Sequence, residues 1–215
     1  HGGGGTAYAR WVRRWVDKGY AAIAIDVCGS VPQENSDQPV RDEQGGPAGW
    51  GAMFAQLDEP IQDQWVYHAV ADIVMANSFL RSLPGVDPDR IGVTGISWGG
   101  YLTCIVAGVD HRFAFAAPIY GCGFIQEDSA FSGAFDSIGP AKSAEWNQYW
   151  EPSIYLPAAK MPMLWVTSES DGAFGLGATQ KSYALPTGPR YLSIQPGLAH
   201  SHPDGEAVKE VHAFA

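Results

Sequence analysis

Long apolar runs are missing from this sequence. Every hydrophobic stretch meets Asp, Arg, Gly or Pro well short of the roughly 20 residues that a membrane-crossing helix needs, so no transmembrane segment is expected. Cysteine is scarce. Cys28, Cys104 and Cys122 make no Cys-x-x-Cys pair and no metal-type spacing, and they read as small core or loop residues. Basic residues are few as well: 13 Lys plus Arg against 23 Asp plus Glu leave a formal net charge of −10. That field repels phosphate backbones, so nucleic acid is not an expected partner. There is no GxGxxG or Walker A pattern at a strand end, no internal repeat and no low-complexity tract, which removes the usual signs of a nucleotide site or a solenoid.

What is present is enough apolar material for a sizeable core: 46% hydrophobic residues, with eight Trp, nine Tyr and nine Phe in 215 residues. That length fits one domain or a large piece of one. Residues 8–18 place Tyr8, Trp11, Val12, Trp15 and Val16 at helical spacing before Gly19. Residues 20–27 form a short apolar run, read as a strand buried on both faces. Residues 28–63 are rich in Gly, Pro, Gln and acids and read as a long connection. A helix is expected over 61–83, closed by Pro84-Gly85. Strand 90–95, helix 99–108, strand 113–120, strand 163–167, helix 178–185, strand 190–194 and a helix after Pro203 follow. This alternation predicts a mostly parallel sheet with helices on both faces. Residues 121–160, with Phe124, Phe131, Phe135, Trp146, Tyr149, Trp150 and Tyr155, break the alternation and read as a lid.

Gly95-Ile96-Ser97-Trp98-Gly99 matches G-x-S-x-G between a predicted strand and a predicted helix, the context in which that match has meaning. A strand that reverses sharply into a helix forces its central residue into strained geometry, and glycines flank it because side chains there would collide. The serine hydroxyl is raised at a helix N-terminus, where developing negative charge is favoured.

A serine hydroxyl needs a base to take its proton and a carboxylate to orient that base. Thr167-Ser168-Glu169-Ser170-Asp171-Gly172 follows one predicted strand and Leu198-Ala199-His200-Ser201-His202 follows another. All lie beyond the carboxyl ends of strands, where open α/β sheets place their sites. Asp171, on a turn before Gly172, is favoured over Glu169 as the acid. His200 is favoured over His202, because Pro203 makes His202 a helix-boundary residue. His68, His111 and His212 read as surface or packing residues. The glycine run after His1 offers unobstructed N–H donors at Gly3 and Gly4 for an oxyanion, completed by the N–H of Trp98 after the serine.

The HGGG element, the GISWGG elbow, the SESDG acid loop and the LAHSH loop together resemble the α/β-hydrolase superfamily, and the likeness runs over almost the whole chain. Its tone is similar to the carboxylesterase, dienelactone-hydrolase-like and prolyl-oligopeptidase-like branches. The resemblance implies a three-layer α/β-hydrolase fold in one catalytic domain, residues 1–215, and a serine esterase acting through Ser97, His200 and Asp171. A small-molecule ester, short-chain or acetyl, is the implied substrate, and no metal or organic cofactor is implied. A serine peptidase of the prolyl-oligopeptidase type is the alternative activity, and a hydrolase-fold binding protein without turnover is the alternative from another class. The superfamily also places a strand before HGGG, between strands 20–27 and 90–94, with two more ahead of it. The chain is therefore expected to be an excerpt of a longer protein carrying those N-terminal strands.

Overall fold

The computed structural model describes residues 7–33 and 36–215. They form two compact units, one reaching to Pro88 and one spanning Asp89–Ala215.

In the first unit, helix α1 is Ala9–Val16. Residues 20–27, expected as a strand, carry no ladder hydrogen bonds. An apolar extended run becomes a strand only beside a hydrogen-bonding neighbour, and among the described residues it has none. The expected long connection instead contains an antiparallel hairpin, β1 (Ser30–Gln33) with β2 (Ser36–Arg41), irregular at Val31/Gln33. Pro32 and Pro39 obscured it, since proline cannot donate to a ladder. Asp26 Oδ1 accepts from the N–H groups of Cys28 and Ser30, both at 2.8 Å, and so starts the hairpin. The guanidinium of Arg41 donates to Cys28 O and closes its base. The helix expected over 61–83 divides into a 3-10 turn, Ile61–Asp63, and α2, Trp65–Ser82. Gln64 is extended between them, and Leu83, just before Pro84, is extended at the other end.

The second unit is built on a four-stranded, fully parallel sheet in the order β3 (Gly92–Ile96), β4 (Phe115–Ile119), β5 (Met163–Thr167), β6 (Arg190–Ile194). The in-register pairs run from Gly92↔Phe115 to Ile96↔Ile119 and from Met163↔Arg190 to Thr167↔Ile194. β5 is buried at every position, as a strand covered on both faces must be, whereas β6 is largely exposed. Successive strands always step the same way across the sheet. The helices between them pack on the strands they join: α3 (Trp98–Val109) on β3 and β4, and α5 (Leu176–Tyr183) on β5 and β6. After β6 come α6 (His202–Glu206) and α7 (Lys209–Phe214), and Phe214 packs on Phe115 and Tyr191 of the strands.

α3 is buried almost all round, from Trp98 to Ala107, so it is a core helix rather than an amphipathic cover. Its polar groups are paired: Thr103 Oγ1 donates to Gly99 O at 2.7 Å and the Tyr101 hydroxyl to Trp150 O. Residues 121–160 carry a long helix, α4 (Ser132–Trp150), broken at Gly139, where φ is 80°. Pro140 causes the break, because it has no N–H and expels its predecessor from helical geometry. Phe135, Trp146 and Trp150 of this segment are buried, each contributing about 2–3 kcal/mol of apolar burial. All three cysteines are buried, and none is in a disulfide.

Candidate active site

The carboxyl ends of β3, β5 and β6 bring three side chains together. Ser97 follows β3 directly with φ 57° and ψ −122°, a conformation that costs a non-glycine residue about 1–3 kcal/mol. Hydrogen bonds hold it there: Ser97 N donates to Ile119 O at 3.0 Å, and Ser97 O accepts from Tyr101 N at 2.9 Å. The turn is too tight for side chains on either flank. A Cβ on Gly95 would lie 2.2 Å from Gly99 O, and one on Gly100 would lie 2.8 Å from Ile119 O. These are backbone atoms and cannot swing aside.

The loop after β6 presents His200. Its Nε2 stands 2.9 Å from Ser97 Oγ and its Nδ1 stands 2.8 Å from Asp171 Oδ2. With the proton on Nδ1, the imidazole donates to the carboxylate and accepts from the hydroxyl. The Asp171 side chain is buried to 1% exposure while that of His200 is 29% exposed, so the charge is shielded and the ring remains reachable. Burial would push the Asp171 carboxyl upward, but hydrogen bonds from His200 and from the N–H groups of Phe174 and Ala173 outweigh it and hold the group below its ordinary range. The acid loop is itself pinned, since Ala130 N donates to Ala173 O and Gly175 N to Asp128 O.

Of the expected site residues, Ser97, Asp171 and His200 are brought together. Trp98 opens α3, where N–H groups point out of the helix end. Gly3 and Gly4 lie outside the described residues. Glu169 accepts from Ser168 Oγ, and His202 begins α6 behind the capping hydroxyl of Ser201. Residues that sequence reasoning did not place here also surround the imidazole. The Tyr120 ring lies 4.4 Å from that of His200, and Phe174 stacks on it at 6.1 Å and 13°. Phe131 packs on both Phe174 and Trp98, at 5.6 and 4.8 Å. Tyr120 had one available signal, its place at the end of a predicted strand, and Phe131 had another, its place in the aromatic segment 121–160; Phe174 had none.

A sequence profile described as acetyl xylan esterase (AXE1) matches residues 2–125, more than half of the chain. The chain belongs to the acetyl xylan esterase family. It is thereby a carboxylic ester hydrolase of the α/β-hydrolase superfamily. Among solved structures it is similar to an acetyl xylan esterase from Paenibacillus sp. R4, with 24% identity, a TM-score of 0.76, and coverage of 99% of this chain and 71% of that one. Acetyl xylan esterase 1 from Thermoanaerobacterium sp. JW/SL YS485 follows at 17% identity and TM-score 0.71, covering 92% and 66%. An acylaminoacyl peptidase from Pyrococcus horikoshii matches at 26% identity and TM-score 0.57, covering 69% and 27%. The chain thus presents part of the fold seen in these longer proteins. No curated protein sequence matches it.

Proposed function

We propose that the protein hydrolyses short-chain, acetyl-type carboxylic esters by way of an acyl-enzyme on Ser97. The observation that carries this reading is the single imidazole, His200, within hydrogen-bond reach of both a strained serine and a buried carboxylate. Ser97 Oγ attacks the ester carbonyl carbon while His200 Nε2 takes the hydroxyl proton, and Asp171 stabilises the imidazolium. The tetrahedral intermediate collapses, the proton passes to the leaving alcohol, and the acyl group stays on Ser97. Water, deprotonated by the same imidazole, then releases the acid and regenerates the serine. The backbone N–H of Trp98, at the N-terminus of α3, donates to the developing oxyanion.

Acetyl is the favoured acyl group for two reasons. The family is that of acetyl xylan esterases, and Trp98, Phe131 and Phe174 form a packed aromatic cluster beside the serine and the histidine. A panel of p-nitrophenyl acetate, butyrate and octanoate beside an aminoacyl p-nitroanilide tests the reading. The acetate is expected to have the highest kcat/KM. A faster anilide would make the protein a peptidase, the activity for which the Pyrococcus neighbour is named, and no turnover of any of them would leave the binding-protein alternative.

A further inference from the structure

Asp171 holds the imidazole from the Nδ1 side, but a ring fixed at one atom can still rock about that bond, and its own loop is exposed. A second restraint is present on the other flank. Tyr120, the residue after β4, is buried to 1% exposure and has φ 32°. Its N–H donates to Val166 O, which ties it to the end of β5. Its ring packs 4.4 Å from the His200 ring at a tilt of 40°. Its hydroxyl donates to the carbonyl of Ser201, the residue next to His200, and the same carbonyl accepts from Gly205 N at 3.0 Å. The space for that hydroxyl is made by a glycine: a Cβ on Gly205 would sit 2.1 Å from the Tyr120 oxygen and 2.6 Å from Ile96 Cγ2. Burial, followed by the nearby charges of Asp171 and Asp204, pushes the phenol far above its usual range, so it remains a neutral donor.

We infer that Tyr120 is a positioning residue for the base, a strut from the sheet that sets the His200 loop through the Ser201 carbonyl and the ring face. It sits too deep to meet substrate, so its influence passes through His200. The inference rests on the proposed roles of Ser97 and His200. A strut matters because general-base catalysis depends steeply on geometry, and a displacement of about 1 Å can cost on the order of 100-fold in rate.

The test compares Tyr120→Phe with Gly205→Ala, Ser97→Ala and the unmodified protein on p-nitrophenyl acetate, with folding monitored by near-UV circular dichroism. Tyr120→Phe keeps the ring and removes only the hydroxyl. It is expected to lower kcat about 10-fold, with KM changed less than 2-fold. Gly205→Ala pushes the hydroxyl away without altering Tyr120 and is expected to reproduce that split, so it supplies the readout should Tyr120→Phe fail to fold. Wild-type kcat in either folded variant, or a raised KM with kcat unchanged, overturns the inference. If Ser97→Ala also retains turnover, the roles of Ser97 and His200 fail with it; if Ser97→Ala is inactive while Tyr120→Phe is fully active, only the strut fails.

Discussion

The serine and the histidine of the candidate site are held in opposite ways. Ser97 sits between a buried strand end and a buried helix, in a turn fixed by backbone hydrogen bonds and by glycines that leave no room for side chains. His200 stands on an exposed loop after the exposed edge strand β6 and is located by side chains: Asp171 on one nitrogen, Phe174 stacked on the ring, Tyr120 beneath. One partner is built into the fold, while the other is adjusted onto it. Substitutions of the elbow glycines should therefore disturb folding first, whereas those around the imidazole should act mainly on rate. Positive φ at non-glycine residues follows the same division. Among the described residues, Ser97, Tyr120 and Phe124 have it, all just beyond the carboxyl ends of β3 and β4. Strain is thus concentrated where the site is assembled. Phe124 is supported by buried Glu151, whose Oε1 accepts from Phe124 N at 2.6 Å and from Ser153 N at 3.1 Å.

The largest expected effect is that of Ser97→Ala, which should lower kcat on the order of 10⁶-fold while leaving the fold intact. Next, Asp171→Asn should cost on the order of 10⁴-fold in kcat with little change in KM. This variant also sharpens the contrast through pH. Because Asp171 is held below its ordinary range in the folded protein, its contribution to stability is present above the unfolded value of about 3.9 and is lost as pH falls through the lower folded value. Urea midpoints should therefore favour the wild type at pH 7 and converge on those of the variant as the solution is acidified below about pH 4. Gly95→Ala probes the other partner. Its Cβ would strike Gly99 O at 2.2 Å, so a loss of stability of about 1–3 kcal/mol should show in the same unfolding assay. A stable Gly95→Ala with reduced kcat would reverse the distinction between the two halves. Glu169→Gln should change neither activity nor stability, by less than about 0.5 kcal/mol; a loss comparable to that of Asp171→Asn would transfer the acid role to Glu169.

The sequence made legible what is local. β5 and β6 have the bounds that their apolar runs indicate, and β3, β4 and α3 agree within two residues. Ser97, Asp171 and His200 could be read because each follows one of those strands, and chain order alone then places them at one sheet end. What escaped notice depends on distant partners. The run 20–27 looks like a strand by composition but has no ladder neighbour among the described residues, and the hairpin was concealed by its prolines. Tyr120 meets the Ser201 carbonyl 81 positions later, a pairing that no periodicity encodes. The aromatic residues of 121–160 carried a signal of burial but not of place: Phe135, Trp146 and Trp150 went to the interior, while Phe131 reached Trp98 beside the serine.

The most direct measurement is intact-mass and peptide mapping of the protein after reaction with a fluorophosphonate, which labels only serines activated by a base. A single adduct on Ser97, absent from Ser97→Ala and greatly slowed in His200→Ala, is the expected result. An unlabelled wild type, or an adduct that persists in Ser97→Ala, would contradict the role given to that serine.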